Sequence, residues 1–214
     1  MSEPGGLPLA LTLGEPAGIG PELTIRVWRR REELRLPPFY LVGDPDFVRD
    51  RARQLGSEIA LSVVTPAQAA EIFPRALPIV PLQMPVTATP GKPDGSSAPA
   101  AIASIRRAVS DVLAGQAAGI VTNPVAKNVL YRSGFAEPGH TEFLAKLVEE
   151  ATGKASCPVM MLWSPELAVV PVTIHLPAAY DAETRTVLER AAHTCPVHKS
   201  LHPDVAAPIA FVYE

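Results

Sequence analysis

The chain has 214 residues, 47% hydrophobic and 19% charged, with a formal net charge of −3. That length suits one large α/β domain or one domain plus part of a second, and the apolar content is enough to bury a core. The weak negative charge and the absence of a long basic run argue against nucleic acid. No stretch approaches the roughly 18 apolar residues of a spanning helix, and residues 1–6 lack a basic-then-apolar leader, so a cytoplasmic protein off the membrane is expected.

In chain order, Ala10 to Leu13 reads as a buried strand, with Leu7 and Leu9 upstream. Pro21 to Glu33 follows as a helix, with proline first and Glu22 in the first turn. Arg26, Arg29, Arg30 and Arg31, partly offset by Glu32 and Glu33, mark its solvated end. Phe39 to Val42 is a second strand, Asp44 to Leu55 a helix with Asp44 as cap, and Ile59 to Val64 a strand. Leu77 to Leu82 is strand-like, and its prolines place it at a sheet edge. The Pro-rich stretch from Met84 to Pro93 is expected on the surface.

Ser96 or Ser97 caps a long helix to Ala114, whose Ile102, Ile105, Val109, Val112 and Leu113 share one face. Gly119 to Thr122 is a short buried strand, and Glu142 to Ala151 a helix. Pro158 to Trp163 and Glu166 to Thr173 are strands, the second hairpin-like or adjacent, and Ala182 to Ala192 is helical. Strands alternating with helices predict an α/β fold with a largely parallel sheet.

Two segments carry chemistry. Gly14-Glu15-Pro16-Ala17-Gly18-Ile19-Gly20-Pro21-Glu22 joins the first strand to the first helix. Its glycines permit positive φ and close approach to a ligand, at a place where α/β proteins bind phosphates. The spacing fits neither the dinucleotide fingerprint nor the phosphate loop, and no lysine follows Gly20, so a structural turn and a ligand loop are equally open. Gly139-His140-Thr141-Glu142 opens a helix. A histidine and a threonine there can hold an anionic or hydroxylated ligand against free N–H groups. The same four residues are also an ordinary helix start, with Gly or Thr as cap.

Four segments together resemble the 4-hydroxythreonine-4-phosphate dehydrogenase family of vitamin B6 (pyridoxal phosphate) synthesis. They are Gly-Glu-Pro-Ala-Gly-Ile-Gly-Pro-Glu (14–22), Val-Thr-Asn-Pro-Val-Ala-Lys (121–127), Pro-Gly-His-Thr-Glu-Phe (138–143) and Thr-Ile-His-Leu-Pro (173–177). The glycine-rich turn alone also looks like that of isocitrate and isopropylmalate dehydrogenases; the set of four is specific. The resemblance implies an isocitrate/isopropylmalate dehydrogenase-like two-domain α/β fold with a mainly parallel sheet, in a homodimer. It implies an NAD(P)-dependent oxidoreductase that oxidises 4-phosphooxy-L-threonine, a small phosphorylated hydroxy-amino acid. The product then loses carbon dioxide, leaving 3-amino-2-oxopropyl phosphate.

The family holds a divalent metal (zinc, magnesium or cobalt) on three histidines. Carried over by motif, His140 and Thr141 are substrate-binding positions and His175 is one metal ligand. Lys127 either faces phosphate or is a solvated helix-start lysine. Asn123 and Pro124 are expected to shape a turn rather than touch substrate. Relatives acting on four-carbon sugar-acid phosphates or aromatic cis-dihydrodiols would use the same residues, and a non-catalytic fragment is a third reading.

The family's other two metal histidines sit in Asn-Pro-His-Ala-Gly-Glu and His-Asp-Gln-Gly motifs that this sequence lacks. The expectation is therefore a shortened chain: residues 1–193 as the N-terminal part of the family fold and 194–214 as an atypical tail from an altered reading frame. Such a chain is expected to have little dehydrogenase activity alone. Cys195, His198 and His202 in that tail have permissive zinc spacing, but no fourth ligand is evident and Pro196 and Pro203 disfavour a finger. A disulfide between Cys157 and Cys195 is not expected in a reducing compartment.

Overall fold

The computed structural model describes residues 6–135, 137, 139–156, 158–159, 161–165, 168–169, 175–176, 181–193 and 212–213. The chain divides into two units, Met1–Pro158 and Val159–Glu214. Among the described residues no helix is long and apolar enough to cross a membrane.

The first unit alternates strand and helix. Its strands are β1 (Leu9–Thr12), β2 (Phe39–Gly43), β3 (Leu61–Val63), β4 (Leu77–Pro81) and β5 (Gly119–Val121). Its helices are α1 (Gly20–Arg29), α2 (Pro45–Gln54), α3 (Pro66–Ile72), α4 (Ala98–Leu113), α5 (Lys127–Arg132) and α6 (His140–Thr152). All five strands are parallel, in the order β3-β4-β2-β1-β5. The expected α/β class with a parallel sheet is what forms.

Side-chain alternation along the strands separates two cores. Leu11, Phe39, Leu41, Leu77 and Ile79 face one layer with Ile25 and Trp28 of α1 and Phe47 and Val48 of α2. Ala10, Tyr40, Val42 and Val80 face the other, with Ala69 of α3 and Ala108 of α4. Each fully buried large aliphatic stabilises by about 1.5–3 kcal/mol. The buried face of α4 is mostly small: Ala98, Ala101, Ser104, Ile105, Ala108. Small residues let α4 lie close enough for Ser104 Oγ to donate to the Val42 carbonyl at 2.8 Å and accept from the Leu13 N–H at 2.8 Å. The bulky Leu113, expected on the inner face, is exposed.

Several expectations change. The helix expected to Glu33 ends at Arg29. A stretch of turns follows: Arg30 and Arg31 N–H groups bond three residues back, to the Val27 and Trp28 carbonyls, and Leu36 N–H closes on the Arg31 carbonyl at 2.9 Å. The short α3 was not anticipated; Gln68 Oε1 accepts from Thr65 N–H at 3.0 Å and fixes its start. Strand β5, expected to be buried, lies at the sheet edge among the described residues, and Val121 is exposed.

Strand β4 was expected at an edge and lies inside the sheet, between β3 and β2. Leu77 N–H donates to the Ala60 carbonyl and Val64 N–H to the Ile79 carbonyl, so residues 77 and 79 bond toward β3. Leu82 N–H donates to Gly43, so the even positions bond toward β2. Pro78 thus faces β2 ahead of the first registered pair, Leu41 with Ile79, and Pro81 faces β3 beyond the last, Val63 with Ile79. Each proline's nitrogen thus lies just outside the registered ladder on the side it faces.

In the second unit, β6 (Leu162–Trp163) and β7 (Ala168–Val169) pair antiparallel. Strands β8 (His175–Leu176) and β9 (Val212–Tyr213) pair parallel, and α7 spans Ala182–His193. The β6 and β7 pairing, seen among the described residues, agrees with the hairpin-like expectation.

Candidate functional site

The strand order reverses at β1, which has β2 on one side and β5 on the other. Ligands of open parallel sheets bind beyond the carboxyl ends of the strands at such a point. Two loops meet there: the glycine-rich turn after β1 and residues 122–126 after β5.

The two loops are joined tightly. Asn123 N–H donates to Thr12 Oγ1 at 3.1 Å. Asn123 Nδ2 donates to the Thr12 carbonyl and to Thr24 Oγ1, both at 2.9 Å. The Thr24 hydroxyl in turn donates to the Gly20 carbonyl at 2.9 Å. Glu15 N–H donates to the Pro124 carbonyl at 2.8 Å. Gly14 has φ +70°, and a Cβ there would stand 2.6 Å from both Asn123 Cβ and the Pro124 oxygen. Protein atoms therefore fill the space beside Gly14, and Asn123 has the turn-shaping role expected of it. Arg51 of α2, 2% exposed, braces the turn by donating to the Pro16 carbonyl at 2.9 Å and to Glu22 Oε1 at 3.2 Å. Sequence reasoning missed Arg51. The signal was its place on the apolar face of α2, with Phe47, Val48 and Ala52.

Beyond the joint the chain forms α5 and then α6. Helix α6 is anchored by Phe143 and Leu147, which pack with Ile105 and Val109 of α4. Arg106 Nη1 donates to Glu150 at 2.9 Å, and Phe143 meets Phe135 edge-on at 4.9 Å between centroids. Gly153, at φ +68°, ends the helix in the left-handed conformation. The cap at its start is Gly139; Thr141 lies within the first turn and does not cap.

Packing on α4 fixes the first turn of α6 over α5. His140 is half-buried, and its Nε2 is buried without a hydrogen-bond partner among the described residues. It lines a cavity of about 10 Å³ with Lys127, walled by Ile105, Val125, Leu130 and Phe135. Such a space holds about one water. Burial, and secondarily the nearby Lys127 ammonium, push the imidazole below its ordinary value. His140 is therefore neutral near pH 7 and can exchange a hydrogen bond with a hydroxyl. Thr141 and Glu142 are exposed beside it.

The structure thus places His140 and Thr141 together on the first turn of α6. His175 lies in the second unit, paired with Val212, and is described through its backbone alone. Among the described residues, no three His, Cys, Asp or Glu side chains converge to hold a metal ion. Cys157, Cys195, His198 and His202 lie outside the described residues.

Comparison with known proteins finds relatives of one family. A family profile described as "Pyridoxal phosphate biosynthetic protein PdxA" matches residues 35–207. A 4-hydroxythreonine-4-phosphate dehydrogenase of Bradyrhizobium diazoefficiens is 57% identical over 184 residues, covering 82% of this chain and 53% of that protein. One from Methylorubrum extorquens is 50% identical over 198 residues, covering 91% and 56%. A crystal structure of such a dehydrogenase from Klebsiella pneumoniae superposes with a TM-score of 0.63 at 28% identity, over 86% of this chain and 54% of that one. The chain spans about half the length of the curated relatives it matches.

Proposed function

Because the chain belongs to the PdxA family of pyridoxal phosphate biosynthetic proteins, we propose that its first unit carries the substrate-binding part of a 4-hydroxythreonine-4-phosphate dehydrogenase. The reaction is the NAD(P)-dependent oxidation of the C3 hydroxyl of 4-phosphooxy-L-threonine, followed by loss of carbon dioxide to give 3-amino-2-oxopropyl phosphate. The observation that carries this reading is His140: a neutral imidazole with a buried nitrogen that has no partner among the described residues, on the first turn of α6 beside a lysine. An imidazole kept uncharged suits a substrate hydroxyl better than an anion. Thr141 adds a hydroxyl and the helix start adds free N–H groups, both suited to the substrate's anionic groups.

The family's isocitrate dehydrogenase-like two-domain arrangement and homodimer are part of the same proposal. So is His175 as one ligand of a divalent ion. Such an ion, when bound, supplies a Lewis acid to the substrate. The described residues do not by themselves make a complete ligand set for it.

Calorimetric titration of 4-phosphooxy-L-threonine into the purified protein tests the reading. The expected result is saturable binding that His140→Gln and Thr141→Val each weaken by about tenfold, the loss of one good hydrogen bond in a desolvated site. Absence of binding, or equal binding by both variants with their folds intact by circular dichroism, would overturn it.

A further inference from the structure

We propose that Lys127 belongs to the same site and that its ammonium holds the phosphoryl group of the phosphorylated substrate, while His140 takes a hydroxyl. The proposal rests on the reading of His140 and Thr141 as substrate contacts and adds a charge that divides the labour between them.

Lys127 is the first residue of α5, directly after the loop joined to the glycine-rich turn. It lines the His140 cavity, and its charge acts on the imidazole. Lys146 on α6 is paired with Glu137. Lys127 is exposed and makes no hydrogen bond or ion pair among the described residues. Its ammonium stands beside the start of α6: a Cβ built at Gly139 would lie 4.0 Å from Lys127 Nζ, with Glu142 Oε2 2.9 Å from the same point. Among the described residues no side chain caps α6, so its first N–H groups donate to no competing side-chain oxygen.

A free cation and free N–H donors therefore face one gap. The chain's own occupant at the rim is the Glu142 carboxylate, which would compete with an incoming anion. His140 cannot be the second cation, because burial and Lys127 both disfavour its charged form. Charge is thus supplied at position 127 and a neutral hydrogen-bonding ring at position 140, matching a ligand with a phosphoryl group and a hydroxyl a few bonds apart.

The test titrates inorganic phosphate and 4-phosphooxy-L-threonine, separately, into the wild-type protein and into Lys127→Met, Lys127→Arg and Glu142→Gln. Lys127→Met is expected to weaken both ligands by about tenfold or more, the loss of one charge-assisted hydrogen bond. Lys127→Arg should restore most of that loss, and Glu142→Gln should tighten both ligands. Proton NMR of the His140 ring, assigned with His140→Gln, should show its titration moving up in Lys127→Met. A Lys127→Met protein that binds both ligands like the wild type would overturn the proposal, as would an unmoved His140 titration. If His140→Gln weakens binding and Lys127→Met does not, the lysine's role alone is lost; if the wild type binds neither ligand, both readings fall.

Discussion

Asn123 is the residue on which the joint between β1, β5 and α1 depends, and its removal has a calculable cost. Asn123→Ala deletes the two Nδ2 hydrogen bonds, to the Thr12 carbonyl and to Thr24 Oγ1. Thr12 is fully buried, so water cannot replace the lost donor. An orphaned buried acceptor costs about 1–3 kcal/mol and the second bond contributes about 1 kcal/mol net, giving about 2–4 kcal/mol in all. Against a total of roughly 5–15 kcal/mol for a typical domain, that is a large fraction. With a urea slope of about 2 kcal/mol per molar, the midpoint should fall by about 1–2 M with the slope unchanged. Fluorescence of Trp28, which α1 buries in the core, reports the transition.

Asn123→Asp sharpens the test, because it keeps the shape and removes the donor. A carboxylate oxygen would then face the Thr12 carbonyl and a Thr24 oxygen whose proton is committed to Gly20. The loss should exceed that of alanine at neutral pH. The native carboxyl would be raised above its unfolded value, so stability should recover as pH falls and one donor returns. Thr24→Val should cost about 1 kcal/mol, and its effect should be less than additive with Asn123→Ala because the two share a bond. An Asn123→Ala midpoint within about 0.2 M of the wild type, or an Asn123→Asp protein as stable as the parent, would refute this account of the joint.

Gly14→Ala should destabilise by about 3 kcal/mol or more, since it combines strain at φ +70° with a Cβ 2.6 Å from two atoms; urea unfolding checks this, and a shift under 1 kcal/mol would mean that the turn relaxes. The native value of His140 lies below its ordinary 6.5, through burial and then Lys127. The unfolded chain therefore binds its proton first, so the contribution is complete above about pH 6.5 and is lost as pH falls through the lower native value. His140→Gln should flatten the fall in urea midpoint between pH 7 and 5, and an unchanged profile would show that other groups govern it.

The strands and helices of the first unit were legible where period and punctuation agree. Asp44 before Pro45 announces α2, and its carboxylate does accept from Asp46 N–H at 2.9 Å. The interior place of β4 was not legible, because two prolines in five residues argue for an edge until the partners' register is known. The small buried face of α4 was hidden for another reason: Ala and Ser mark close approach to a sheet, yet a search for large apolar residues passes over them. At the site, the motif around His140 gave the residue but not its state. That the imidazole is neutral follows from Ile105 and Leu130 around it and Lys127 beside it, which only the fold assembles. Arg51 was invisible as a brace because its partners, Pro16 and Glu22, lie far off in sequence.

The paired prolines of β4 also act as an alignment pin during folding. A slide of β4 by two residues keeps every apolar side chain on its proper face, so the cores alone would tolerate it. Moved one way, the ring nitrogen of Pro78 enters the ladder with β2; moved the other, that of Pro81 enters the ladder with β3. Either mistake strands a neighbouring carbonyl inside the sheet, at about 1–3 kcal/mol. The missing N–H groups, outside the registered pairs on the side each proline faces in the native sheet, thereby tax the nearest misfolded competitors.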